Sequence, residues 1–205
     1  MEIKQRIVGN ALRLLKQVGP TVMTMDMVAR ECGMSKRTLY EVFADKKTLI
    51  LECLRADHDR NKEQVKEIFR TAENCFDALL QVFVSWRKFL NETPLSFIDE
   101  INRLYPEISL QNNENERQHI HSLAKVLSCA QTQGLVVEGI NTEIAALLFY
   151  GTVRNIHENR RIDDFGFNRV DVFAGAFINF LRGIATIKGI NYIDSMLPDI
   201  DKKLK

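Results

Sequence analysis

Apolar residues recur at intervals of three and four along almost the whole of this 205-residue chain, and only 10 Gly and 4 Pro interrupt the pattern. That interval follows the α-helical turn, and so few turn-formers disfavour a many-stranded β architecture. A first helix is expected over about 2–18, with Ile3, Ile7, Ala11, Leu14, Leu15 and Val18 along it and "VGPT" ending it. A short helix to about Cys32 follows, capped by Thr24, then another to about Phe43, capped by Ser35. Asp45 can cap a long fourth helix to about 71. Later helices are expected at about 75–91, from near Pro94 to before Pro106, and from "LQNNENERQ" to about Gln133. The last two run from Asn141 or Thr142 to about Arg160, and from about 168 to Lys188, where Gly189 ends the helix. The expected fold is all-α, with no strand.

The composition, 45% hydrophobic and 27% charged, suits one globular domain or a small head on a larger body. No apolar run approaches the ~20 residues that span a bilayer, so no membrane partner is expected. The amino terminus scatters charges through its apolar positions, unlike a signal peptide, and the location expected is cytoplasmic. Cys32, Cys53, Cys75 and Cys129 form no CxxC pair, so the reading is reduced, mostly buried thiols rather than a zinc site or disulfide framework. His119 and His121 lie about 200° apart on a helix and cannot grip one ion together. "HENRR" is not HExxH, and no phosphate-cradling glycine loop occurs. Neither catalytic residue, metal nor cofactor is expected, and an enzyme is disfavoured.

One stretch calls for more than packing. TMDMVARECGMSKRTLYEVFADK, residues 24–46, breaks at "ECGMS" and then concentrates donors on two turns of helix. A helix-turn-helix needs a small residue where its helices cross and a residue tolerant of positive φ in the turn. Ala29 and Gly33 supply these, and Val28, Cys32, Met34, Leu39 and Val42 fill the apolar places. On a helical wheel Leu39, Val42 and Phe43 share one side, with Arg37, Glu41 and Ala44 opposite. Such a helix in a major groove would offer Arg37 to guanine and Glu41 to cytosine N4, with Thr38 and Tyr40 toward the phosphate walls. Ser35 and Lys36 would join backbone N–H groups in holding a phosphate. The plainer alternative is that Arg37 and Glu41 merely form an i,i+4 pair on a solvated face. Charge distribution favours DNA: residues 1–50 carry a net +4 and the remainder −3, although the whole chain carries only +1.

Residues 1–50 closely resemble the DNA-binding domain of TetR-family transcriptional regulators, through "TMDMVARECGMSKRTLYEVFADKKTLI" and the preceding helix with Ala11, Leu14 and "VGPTVMT". Beyond them the likeness is one of layout, with "AQTQGLVVEGINTEIAALLFYGTV" resembling the approach to the family's dimerising helix. The resemblance implies a three-helix head and a helical ligand-binding and dimerisation body. It also implies a homodimer on palindromic operator DNA, and an unknown small-molecule effector that alters head spacing, by default relieving repression. Thr24, Ser35, Thr38, Tyr40 and Lys46 match positions that meet phosphates in the family, whereas Lys36, Arg37 and Glu41 fall at base-reading positions. Glu41 departs from the family pattern, since many members carry a neutral residue or His there. The division expected is a head over 1–48, a body over 49–190 and a tail over 191–205.

In the body, helices 141–160 and 168–188 are apolar on more than one side and need covering twice. An intermolecular four-helix bundle would do so, through Ile144, Leu148, Gly151, Phe173, Phe177, Phe180 and Ile184; a deep monomeric core is the alternative. Phe83, Trp86, Phe97 and Tyr150, with His119 or His121 as polar partners, are candidates to line an effector pocket suited to a hydrophobic or aromatic molecule.

Overall fold

The computed structural model describes residues 2–93, 95–158 and 161–203. They form α1 (Glu2–Val22), α2 (Met25–Glu31), α3 (Lys36–Val42), α4 (Lys46–Thr71), α5 (Cys75–Glu92) and α6 (Leu95–Leu104), then α7 (Pro106–Thr132), α8 (Thr142–Glu158), α9 (Arg161–Asp164), α10 (Arg169–Ile184) and α11 (Ile187–Lys203). Pro94, where a helix start was expected, and Arg160 lie outside the described residues. The chain divides into two compact units, Met1–Glu67 with Thr93–Ile108, and Ile68–Glu92 with Ser109–Lys205.

In the first unit the run called α1 is broken where the sequence reading placed its end. Gly19 takes φ 80° and ψ 162°, a left-handed φ that glycine adopts without penalty, and Pro20 follows. Ile7, Ala11 and Leu15 of α1 are fully buried with Met23, Val28, Leu39, Leu49, Ile50 and Cys53. The boundary near residue 48 follows the motif, but packing carries the unit further. The start of α4 is sealed against α1, and α6 brings Phe97 and Ile101, with Tyr105 just past its end, into the same core. Polar ties reinforce this: Lys16 pairs with Asp57 at 2.8 Å, and Thr21 Oγ1 donates to Glu100 Oε2 at 2.9 Å.

In the second unit α10 packs on α8 and α5, and α11 packs on α5. The starts follow cap chemistry. Asn74 Oδ1 accepts from the N–H groups of Phe76 and Asp77, and Asn141 Oδ1 from those of Glu143 and Ile144. The expected single helix over 168–188 is instead two, and the stop is not Gly189. The break falls at Ala185, whose ψ of 147° is extended. There the chain makes an isolated antiparallel bridge between Val136 and Ala185. Val137 N–H donates to the Ile184 carbonyl at 2.9 Å, and Thr186 N–H to the Leu135 carbonyl at 3.0 Å. Thr186 Oγ1 then accepts from Gly189 N–H, opening α11. Gly189 is needed for closeness: a Cβ there would lie 2.3 Å from the Leu135 carbonyl oxygen. Residues 191–198, expected in a tail, are helical, and Ile193 is fully buried.

Candidate nucleic-acid interface

The geometry of residues 24–46 is set by three caps and one glycine. Thr24 Oγ1 accepts from Met27 N–H at 3.2 Å, starting α2. Gly33, at φ 62°, reverses the chain while its N–H donates to the Arg30 carbonyl and Met34 N–H to that of Ala29. Ser35 Oγ accepts from Thr38 N–H at 3.1 Å, starting α3, and Asp45 Oδ1 from Thr48 N–H at 2.7 Å, starting α4. The bond from Thr48 holds the Asp45 carboxyl below its usual range. Val28, Ala29, Leu39 and Phe43 are buried where the two short helices meet the rest of the unit.

With Leu39 and Phe43 inward, the opposite side of α3 faces solvent. The Arg37 side chain is 90% exposed and its Nε lies 3.2 Å from Glu41 Oε1. Lys36 Nζ reaches back across the turn to Asp26 Oδ1 at 2.8 Å, a bond that raises the lysine's pKa. Ser35 Oγ and Thr38 Oγ1 are 2.8 Å apart, and Tyr40 is exposed. Lys46 Nζ donates to the Thr21 carbonyl at 3.3 Å, so it lies beside the loop that leads into α2. All eight expected contact residues, Thr24, Ser35, Lys36, Arg37, Thr38, Tyr40, Glu41 and Lys46, therefore belong to one compact motif with exposed or half-exposed side chains. The pairings of Lys36 with Asp26 and Arg37 with Glu41 are both formed; the wheel had offered only the second.

Residues 7–53 match the family model described as bacterial regulatory proteins, tetR family. The amino-terminal domain belongs to the TetR family. Beyond that domain, solved structures show the fold. A TetR-family transcriptional regulator from Agrobacterium tumefaciens is 16% identical, with 90% of this chain and 98% of that one covered at a TM-score of 0.68. A transcriptional regulator from Cytophaga hutchinsonii is 16% identical over 89% and 98% of the two chains, at 0.70. A protein from Saccharomonospora viridis, solved in complex with choline, is 20% identical over 90% and 98%, at 0.71. No curated protein matches by sequence. The TetR-family helix-turn-helix is thus followed by a helical region of the kind seen in these regulators, and among the described residues no helix is long and apolar enough to cross a membrane.

The pocket candidates are not gathered at one place. Phe83 is buried, stacked on Phe177 with ring centroids 4.6 Å apart, while Trp86 is partly exposed and stacks on Phe173 at 6.4 Å. Tyr150 stacks on His119 at 6.1 Å, and burial pushes its phenol well above the usual range. His121 instead lines a surface pocket of about 400 Å³ with Arg117, Ile120, Glu143, Ile144 and Leu147. Phe97 must be removed from the set, because α6 buries it in the core of the first unit. Sequence reasoning missed Phe149, which joins Phe177 and Phe180, and Arg87, whose buried Nε has no hydrogen-bond partner among the described residues.

The expected dimer face also needs correction. Phe173, Phe177 and Ile184 point inward and are buried within the second unit, and Phe180 is half-buried against Phe149. Ile144, Leu147 and Leu148 are 55%, 56% and 65% exposed, with half-buried Gly151 one turn on. On α10 the exposed positions are Asp171, Gly175, Asn179, Arg182 and Gly183, so its outward side carries two glycines between polar residues. Leu147 shares the stripe of Ile144 and Leu148.

Proposed function

We propose that this chain is a ligand-responsive transcriptional regulator of the TetR family, acting in the cytoplasm as a homodimer on palindromic operator DNA. The observation that carries the reading is the outward side of α3, where a 90% exposed Arg37 stands opposite the fully buried Leu39. Arg37 and Glu41 read base edges, with Lys36 at the rim. Thr24, Ser35, Thr38, Tyr40 and Lys46 fix the register on phosphates. The apolar stripe Ile144–Leu147–Leu148 of α8, beside an α10 whose outward side carries Gly175 and Gly183, supports a twofold bundle, because solvent-facing leucines and a helix approachable at its glycines invite covering by their own copies. A dimer would set two α3 helices about 34–36 Å apart or a multiple of it. The succession of contacting rings from Trp86 through Phe173, Phe177 and Phe149 to Tyr150, with the unpartnered Arg87 Nε, supports a hydrophobic or aromatic effector bearing a hydrogen-bond acceptor. Repression relieved by that effector is the default for the family.

Selection of bound duplexes from a random pool tests the reading. A twofold-symmetric word should be enriched, and its complex should weaken steeply with salt. Recovery of no symmetric word, or of binding indifferent to sequence, would overturn it.

A further inference from the structure

The sequence places Cys75 and Cys129 54 residues apart, and the second unit brings their sulfurs to 2.8 Å. Cys75 is the first residue of α5 and Cys129 lies in the last turn of α7. The two ends are already joined, since Cys75 N–H donates to Gln133 Oε1 at 2.9 Å. The same turn is held from α11, where Lys188 Nζ donates to the Gln133 carbonyl at 2.8 Å. Phe76, next in sequence to Cys75, is fully buried, so this end of α5 is anchored in the core. A disulfide bond of about 2.05 Å therefore asks the sulfurs to close by only about 0.8 Å between elements already fixed to each other.

The two thiols are not equivalent. Cys129 is exposed, whereas Cys75 is buried and points its S–H at the Cys129 sulfur. Burial and that hydrogen bond push the Cys75 thiol up to about 12, so it stays protonated until its partner changes. The remaining cysteines offer a contrast. Cys32 and Cys53 are both buried in the first unit, and the Cys53 thiol donates to the Val8 carbonyl at 3.6 Å.

We infer that Cys75 and Cys129 are an oxidisable dithiol whose co-reactant is a small hydroperoxide, with the exposed Cys129 as the sulfur that attacks the solvent-borne oxidant and Cys75 as the resolving sulfur. In the first step the Cys129 sulfur attacks the peroxide. The O–O bond breaks, one oxygen stays on sulfur as a sulfenic acid, and the other leaves as water or an alcohol. In the second step Cys75 attacks that sulfur. The S–S bond forms, the S–O bond breaks, and the hydroxide departs with the Cys75 proton as water. Two thiols lose two electrons and one peroxide gains them. The product staples the start of α5 to the end of α7, and the assignment stands independently of whether the chain binds DNA.

The test uses the full chain, reduced and then exposed to hydrogen peroxide without added thiol. Intact mass should fall by two hydrogens, non-reducing peptide maps should show the Cys75 and Cys129 peptides linked, and dithiothreitol should restore both free thiols. Cys75→Ser should leave Cys129 as a sulfenic acid that dimedone traps, while Cys129→Ser should give no dimedone adduct at Cys75. The wild-type map decides the matter even if a variant folds poorly. Cys129 accumulating sulfinic or sulfonic acid with Cys75 still free, or links that join two chains instead, would overturn the assignment.

Discussion

The two units bury comparable chemistry in different ways. In the first, almost every feature that positions a candidate functional side chain is set by neighbours within four residues: Thr24 on Met27, Ser35 on Thr38, Asp45 on Thr48, Arg37 on Glu41. In the second, the decisive contacts bridge long stretches of chain: Cys75 to Gln133, Thr186 to Gly134, and Phe83 onto Phe177. Local contacts write themselves into a motif that any reader of the sequence can find. Remote ones leave only an apolar period, which says that a side is covered but not by what.

The comparison implies that damage should stay within a unit, and the sharpest way to break it is Leu39→Ala. Removing this fully buried side chain should cost the first unit about 2–5 kcal/mol and abolish operator binding. Hydrogen exchange should accelerate across α1–α3 while amides of α10 keep their protection. Equal loss in α10 would mean that the units do not open separately. Gly189→Ala is the mirror experiment. A Cβ 2.3 Å from the Leu135 carbonyl must displace backbone, so about 1–3 kcal/mol should be lost from the second unit, with protection falling around 134–137 and 184–190. The amides of α2 and α3 should be unchanged.

Arg37→Ala separates reading from folding. It should leave the melting temperature where it was and lose about 1–3 kcal/mol on the selected operator, with little change on random duplex. Equal loss on both would reduce Arg37 to a phosphate contact. The smallest effect is expected for Ser35→Ala, about 1 kcal/mol from the loss of one helix cap. Denaturant midpoints should register it, and a Ser35→Asp variant, which restores an acceptor, should recover most of the stability while weakening DNA binding through its charge.

What the sequence disclosed follows the same line. Thr24, Gly33, Ser35 and Asp45 are legible because their chemistry acts on the next turn of backbone. The helices of the body were legible as helices, yet Phe173, Phe177 and Ile184 were assigned outward when they pack against α5 and α8. A stripe with a helical period cannot distinguish a neighbour in the same chain from one in a second copy. Gly189 was misread for a related reason: a glycine spared for close approach looks like one that ends a helix. Cys75 and Cys129 left no trace, since neither spacing nor flanking residues announces a pair formed by two distant helix ends.

The carboxylates of Asp26 and Glu41 give the α3 surface an unusual economy. Each outward cation already holds an internal anion, so meeting a duplex is a trade of one counter-charge for another rather than a gain from bare attraction. A random stretch of polyanion offers little better than the carboxylate given up. The right base edge, accepting two bonds from a guanidinium set free by its neighbour, does.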